Sequence, residues 1–209
     1  GRGTSETTQT NRRMKKINKL NIIAFLISTI FFYSCGKAST PRPYGYFRVD
    51  IPSHQYVRFD SAALPYTFEK STLAAVKPVT RKGENYWIDI TYSHLKANIY
   101  CSYKPVKSNL FQLLKETHSI VYKHSIRADA ITEKAFENPE KRVFGILYEL
   151  TGNTASTAQF VLTDSLNHFF RGALYFDQMP NKDSIAPMAE YISRDIVRLM
   201  ESFEWKKTN

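Results

Sequence analysis

Apolar and polar residues alternate with a period of two over several short segments, which is the pattern of half-buried β-strands. One such segment is residues 47–51, which Pro52 ends. Two more cover 86–92 and 97–103, separated by a short polar break, and we expect them to pair as a hairpin. Weaker strand signals cover 66–69 and 74–79.

The second half of the chain repeats this pattern with clearer turns. A strand is predicted over 130–137 and ends at a turn formed by Asn138, Pro139 and Glu140. A meander of three strands follows over 142–150, 155–163 and 168–176, with turns at Gly152-Asn153 and at 164–167.

Two segments instead carry apolar residues at spacings of three and four, as amphipathic helices do. The first follows Ser108, the predicted N-cap, and its apolar side is formed by Leu110, Leu113, Leu114, Thr117, Ile120 and Val121. The second runs from Ile185 to Phe203, with Asp183 or Ser184 as its cap and Pro187 in its first turn. The sequence therefore predicts an α+β domain, an antiparallel β-sheet with two amphipathic helices packed on it. The order of elements resembles the PsbP/Mog1 type of sandwich, a likeness of fold that says little about function.

Before the first strand lies an apolar run, 20–33, preceded by Lys15, Lys16 and Lys19 and followed closely by Cys35. This is the layout of a bacterial lipoprotein signal peptide, although Phe32-Tyr33-Ser34-Cys35 departs from the usual Leu-small-small-Cys pattern. As a helix the run would span roughly 21 Å, short of the ~30 Å hydrocarbon core of a membrane. We expect cleavage before Cys35 and lipidation of its thiol. The alternative is a buried N-terminal helix, for which the segment has neither a cap nor a polar face.

These features divide the chain into four parts. Residues 1–13 are expected to be a disordered or untranslated extension before Met14, and residues 14–34 the signal peptide. Residues 35–43 form a lipidated tether in which the two prolines favour extended backbone, reaching roughly 25 Å. Residues 44–206 form a single α+β domain. No run of acidic residues follows Cys35, which favours a domain facing the periplasm.

Charge and cysteine content narrow the possible partners. The chain has a formal charge of +10, but six of its 29 basic and one of its 19 acidic residues lie in 1–34, so the remainder carries +5. This weakens the case for nucleic acid as a partner. Basic residues gather around the first helix, either as a solvated face or to orient the domain near an anionic leaflet: Lys104, Lys107, Lys115, Lys123 and Arg127. Cys101 is predicted to be a free thiol packed as a small hydrophobe, with a reactive thiol as the alternative.

Candidate catalytic chemistry is sparse. Asp164, Ser165 and His168 are the residue types of a hydrolytic triad, but they span a tight polar turn without a Gly-x-Ser-x-Gly motif, so we expect turn formation. The five histidines are scattered without metal-ligand spacing, and no phosphate or dinucleotide motif is present. The sequence thus predicts no catalytic residues, no metal and no cofactor, and a protein that is not an enzyme.

Aromatic residues crowd the segment that follows the tether: Tyr44, Tyr46, Tyr56, Phe59 and Tyr66. Amphipathic rings of this kind suit partner surfaces, and they also seal sheet edges and corners rich in loops. Both interpretations are open from the sequence.

Six segments carry a resemblance to a known family: 43–48, 102–105, 122–131, 162–165, 170–176 and 180–184. Over residues 41–206 the chain resembles the gliding motility lipoprotein GldD family. The resemblance implies a non-enzymatic envelope lipoprotein that works with other gliding lipoproteins, the motor and the type IX secretion apparatus. The chain has Leu64-Pro65-Tyr66 where relatives often have Cys-Pro-Tyr, so a cysteine that could pair with Cys101 is absent there and packing alone must hold this corner.

The leading hypothesis is therefore a lipid-anchored assembly or stabilising component, held to a bacterial membrane through Cys35 and bound to other gliding or secretion proteins of the envelope. The alternative hypothesis is a periplasmic ligand-binding or hydrolytic lipoprotein with a site near Asp164, Ser165 and His168.

Overall fold

A computed structural model describes residues 52–124, 127–177 and 182–206. The strand predicted over 47–51 and the lipidation site predicted at Cys35 lie outside these residues. The strands and helices within them are β1 (Tyr56–Asp60), β2 (Tyr66–Ser71), β3 (Ala75–Arg81), β4 (Glu84–Tyr92), β5 (Ala97–Pro105), α1 (Leu110–His124), β6 (Ala128–Asn138), β7 (Val143–Gly152), β8 (Ser156–Thr163), β9 (His168–Phe176), α2 (Lys182–Ser202) and β10 (Glu204–Trp205).

Seven of the strands form one antiparallel sheet in the order β3-β4-β5-β9-β8-β7-β6. The predicted hairpin is confirmed, because β4 pairs with β5 with Ile90 opposite Ile99. The predicted three-strand meander is confirmed as β7-β8-β9. Close packing requires glycine at Gly145, where a Cβ atom would lie 2.2 Å from the backbone oxygen of Val161.

A second antiparallel sheet, in the order β1-β2-β10, is a difference from the single sheet that the sequence predicts. Strand β1 has a weak apolar pattern and pairs with β2 with Phe59 opposite Phe68. Strand β10 is two residues long and follows α2 directly, so Trp205 comes to lie opposite Tyr66. Strand β10 depends on a partner that is distant in sequence, which local periodicity cannot register, whereas β1 lies close to β2 in sequence and is difficult to predict because its own apolar pattern is weak.

The two helices pack on opposite faces of the large sheet. Successive strand residues point to opposite faces, and Phe160 packs with α2 residues whereas Val161 packs with Leu113 of α1. The larger core lies under α2 and the small sheet, and its fully buried side chains include Tyr66, Phe68, Phe160, Phe170, Ile192, Ile196 and Phe203. The predicted class, α+β with two amphipathic helices on antiparallel sheet, is confirmed.

Both helices begin differently from the prediction. The carbonyl of Asn109, not Ser108, accepts the first helical hydrogen bond of α1, from the Leu113 N–H at 3.1 Å, so Asn109 is the cap. Ser108 has φ +58°, which turns the chain before the helix. Helix α2 begins at Lys182, ahead of the predicted caps Asp183 and Ser184, and Pro187 therefore lies beyond its first turn. Tertiary packing of the apolar stripe sustains the helix there despite the missing N–H.

Candidate functional site

The turn between β8 and β9 is held by one carboxylate. Asp164 Oδ1 accepts hydrogen bonds from the backbone N–H groups of Leu166, Asn167 and His168, at 3.0, 2.8 and 2.8 Å. Ser165 takes the left-handed conformation, with φ +69°, and its side chain is exposed. The predicted polar turn is therefore present, and Asp164 is the residue that organises it.

The same residues do not form a hydrolytic relay. Asp164 bonds to the backbone of His168 and not to its ring, and among the described residues no hydrogen bond joins the Ser165 hydroxyl to that ring. Instead His168 Nδ1 lies 2.7 Å from the Tyr103 hydroxyl. The ring also stacks on Trp205, with centroids 4.8 Å apart and planes 13° apart. A serine nucleophile would need the imidazole as its base, and here the imidazole is bound elsewhere.

His168 and Trp205 instead form part of an open cleft of about 660 Å³ at the end of the large sheet. Three segments meet there: the β8–β9 turn, the β6–β7 turn and the C-terminal strand β10. The residues that line the cleft are Lys141, Arg142, Asp164, Leu166, Asn167, His168, Trp205 and Lys206. Volume in this range suits a small molecule or a short segment of a partner.

Charge within the cleft is largely compensated. Lys141 Nζ lies 2.8 Å from Glu204 Oε1, and Lys206 forms an ion pair with Asp60. Arg142 is exposed and takes part in no ion pair within the described part of the chain. The cleft therefore offers one uncommitted guanidinium beside the His168–Trp205 stack, which suits a planar ligand carrying an anionic group.

Protonation equilibria in the cleft follow from its geometry. Burial raises the pKa of Asp164, but hydrogen bonds from the backbone of Asn167, His168 and Leu166, together with the His168 ring, outweigh it, so the net pKa lies below the ordinary value. Burial lowers the pKa of His168, and nearby Asp164 opposes this only in part. Asp164 is therefore ionised and His168 neutral at neutral pH.

A second polar cluster was not anticipated from the sequence. Asp195 of α2 is only 3% exposed, and its Oδ1 accepts a hydrogen bond from His54 Nδ1 at 2.7 Å. Its Oδ2 accepts a hydrogen bond from the Tyr92 hydroxyl at 3.0 Å. The His54 ring stacks on Tyr191 with centroids 4.0 Å apart. Burial, followed by the charge and hydrogen bonding of Asp195, raises the pKa of Tyr56 to about 12. The sequence signal for this cluster is the carboxylate of Asp195 on the apolar side of helix α2.

We call His54, Tyr92, Tyr191 and Asp195 the strap cluster, because it fastens the segment leading into β1 to the C-terminal helix. His54 and Asp195 are far apart in sequence, so the cluster closes the described domain on itself. Buried carboxylates are retained where hydrogen bonds satisfy them, and Asp195 has donors at both oxygens.

Two further residues singled out from the sequence, Cys101 and Leu64, are buried in the core. Cys101 is a free thiol, 2% exposed, and burial raises its pKa, so the interpretation as a packed hydrophobe is confirmed. Leu64 belongs to the same buried cluster, consistent with a corner held by packing. Within the described residues no group of three or more metal-ligating side chains converges.

The aromatic segment after the tether is internal where it is described. Tyr66 is fully buried, stacks on Phe203 with centroids 5.6 Å apart and packs at a tilt against Phe170 with centroids 4.7 Å apart. Phe59 packs on Phe68 at 5.2 Å. The interpretation as a sealed corner is thus confirmed for these residues, whereas Tyr44 and Tyr46 lie outside the described residues.

Comparison with known proteins adds the following. The family model described as gliding motility lipoprotein GldD matches residues 36–205. Among solved structures, the chain is similar to that of cyanobacterial PsbP (CyanoP) from Synechocystis sp. PCC 6803. The two share 10% identity and a TM-score of 0.42, and the match covers 75% of this chain and 96% of that chain. A likeness at this level carries no argument about function. No curated protein matches the sequence. Across the described residues, neither helix has the length and apolar character needed to cross a membrane.

Proposed function

The chain belongs to the gliding motility lipoprotein GldD family, and from this premise we propose that it is a non-enzymatic component that assembles or stabilises the gliding and type IX secretion machinery. A lipid on Cys35 holds it to a bacterial membrane, with the domain facing the periplasm. The family match over residues 36–205 is the observation that carries the proposal.

The geometry of the β8–β9 turn supports a role without catalysis. The residues with the best catalytic composition, Asp164, Ser165 and His168, are engaged in turn formation and stacking. A protein that acts by holding other proteins in place needs an anchor, a rigid domain and surfaces that bind partners, but it needs no reactive group.

Genetic deletion tests the assembly role. Cells that lack the gene should lose spreading and should fail to secrete cargo of the type IX system, and the wild-type gene should restore both. Normal motility and secretion in the deletion strain would contradict the proposal.

Lipidation is tested at Cys35. The variant Cys35→Ala should leave the membrane fraction and should no longer incorporate a palmitate analogue. Lys37→Ala, two residues away, is the matched control and should behave as wild type. Retention of the analogue by Cys35→Ala would show that the lipid is attached elsewhere.

The cleft supports a second candidate function, binding of a small anionic ligand by a periplasmic lipoprotein. Its support is the His168–Trp205 stack beside the exposed Arg142. Arg142→Ala and Ser165→Ala separate the candidates: ligand binding predicts loss of motility in Arg142→Ala at unchanged protein level, and hydrolysis predicts it in Ser165→Ala. Full motility in both variants supports the assembly role.

A further inference from the structure

Helix α1 carries an exposed aromatic and basic surface that the assembly role does not account for. Phe111 is 81% exposed and Tyr122 is 44% exposed. His118 stacks on Tyr122 with ring centroids 4.2 Å apart. At about 100° per residue, Phe111, Lys115, His118 and Tyr122 lie within roughly 60° of one another around the helix. They form one continuous stripe beside the buried side of α1.

Basic residues surround this stripe. Lys107, Lys115, Lys123 and Arg127 are all exposed, and none takes part in an ion pair within the described part of the chain. We call the stripe and these four residues the α1 outer face. Three carboxylates lie near it. Glu116 is paired with Lys104 at 3.5 Å, whereas Glu133, which accepts a hydrogen bond from Tyr122 at 3.1 Å, and the exposed Asp129 keep their charges. The four cations outnumber these two carboxylates, so the face has a net positive charge.

Three arginines in the layer formed by the small sheet and α2 are instead paired with carboxylates. Arg58, Arg194 and Arg198 are each bound by a carboxylate, at 2.8, 2.6 and 2.7 Å. These three arginines are thus compensated, whereas the four cations of the α1 outer face are in no ion pair within the described residues.

We propose that the α1 outer face lies on the anionic surface of the membrane that holds the lipid anchor. Aromatic rings favour the headgroup region of a bilayer, and each basic residue near an anionic leaflet strengthens association by roughly fivefold. Charge complementarity selects a lipid surface as the occupant, since anionic headgroups are the counter-charge that the four cations lack in the described chain.

The inference rests on the proposed lipidation of Cys35, which would bring the domain to a membrane surface.

The experiment uses the lipidated protein in nanodiscs and an environment-sensitive fluorophore. Because Cys101 is buried and Cys35 bears the lipid, a cysteine introduced by Phe111→Cys is the accessible thiol. The matched control is Val57→Cys on β1, at a residue that is 45% exposed in the other layer. Discs contain phosphatidylcholine alone or phosphatidylcholine mixed with anionic phosphatidylglycerol, which gives the surface a negative potential.

We expect emission at position 111 to shift to the blue and to rise at least about twofold in the anionic discs, and to return to the starting value at high salt, where charges are screened. Position 57 should not respond. Equal emission at position 111 in both discs, or an equal response at position 57, would overturn the proposal.

Two triple charge-reversal variants test whether the positive charge of the α1 outer face causes the response. Lys107→Glu, Lys115→Glu and Lys123→Glu together should abolish the response at position 111. The control, Lys77→Glu, Lys82→Glu and Lys96→Glu, makes the same change of charge at exposed positions on other elements and should retain it. If the first variant loses motility although position 111 never responded to lipid, the face binds a protein and the proposal is wrong.

An absence of lipid on Cys35 can be distinguished from an α1 outer face that does not bind lipid. Without lipid on Cys35 the protein would not co-purify with the discs, which contradicts the proposed function. The fluorophore at position 111 would then be measured with added vesicles of the same two compositions, and a response to anionic vesicles alone would still support the α1 outer face.

Discussion

Replacing His54 by alanine should release the segment that leads into β1 from helix α2. The change removes the donor at 2.7 Å from Asp195 Oδ1 and the ring that stacks on Tyr191 at 4.0 Å. Asp195 would keep the Tyr92 hydroxyl on its other oxygen and its hydrogen bond with Tyr56. The buried carboxylate would thereby lose one of its donors while remaining in its low-dielectric site.

The expected loss of stability follows from these two contacts. A hydrogen bond to a charged acceptor contributes about 1.5–3 kcal/mol, and a stacked ring pair contributes about 0.5–1.5 kcal/mol. The His54 side chain is 25% exposed, so water can replace part of what is lost. We therefore expect the free energy of unfolding to fall by about 2–3 kcal/mol. For a domain of this size that corresponds to a fall in Tm of roughly 4–12 °C.

Urea unfolding followed by circular dichroism, on protein carrying Cys35→Ala so that no lipid is attached, measures the effect. His94→Ala is the matched control, because His94 is an exposed histidine on the short helical turn after β4 and should change stability by less than about 0.5 kcal/mol. The double variant with Asp195→Asn should be less destabilised than the two single variants predict together, by at least about 1 kcal/mol. Additive losses, or a His54→Ala variant as stable as the control, would refute the strap cluster as a coupled unit.

Three further outcomes are expected. Gly145→Ala should destabilise the domain by more than about 2 kcal/mol, because its Cβ would lie 2.2 Å from the backbone oxygen of Val161; the urea midpoint checks this. Asp164→Ala should cost about 2–3 kcal/mol through three lost backbone hydrogen bonds, whereas Ser165→Ala should be nearly neutral, and similar values for the two would contradict the account of the turn. Burial lowers the pKa of His168, so the unfolded chain binds the proton first and stability should fall as the pH drops below about 6.5, the ordinary histidine value. His168→Gln should flatten this dependence of the urea midpoint on pH, and an unchanged slope would count against it.

The parts of the fold that were predictable are those where a local pattern coincides with the final packing. The alternation in β4, β5 and the β7–β9 meander placed these strands to within a few residues, since each pairs with its neighbour in sequence. The apolar spacing of α1 and α2 located both helices. Their first residues were displaced, since Asn109 caps α1 next to the equally good candidate Ser108 and α2 begins at Lys182, ahead of the predicted caps. Strand β10 escaped prediction because its partner, β2, is distant in sequence, and β1 because its apolar alternation is weak although β2 follows it closely.

The candidate sites divide in the same way. Asp164 was recognisable as a turn former because its hydrogen-bond partners are the next few residues, so the sequence carried the whole arrangement. The cleft was not recognisable, since Trp205 and Lys141 reach it from separate parts of the chain. The strap cluster was missed because Asp195 bonds to His54, which lies near the other end of the described chain.

By itself, the sequence determined the α+β class, the predicted lipidation of Cys35, and the family resemblance that the match over residues 36–205 confirmed. These depend on periodicity and on contiguous motifs, which a linear chain contains in full. The tertiary structure alone decided that His168 stacks on Trp205 and does not contact Ser165, and that Asp195 is buried against His54. It also decided that the four cations of the α1 outer face are in no ion pair within the described residues, while Arg58 and Arg198 are paired. Such pairings are set by which distant residues the fold brings within a few ångströms, and hydrogen bonds and ion pairs act only at that range.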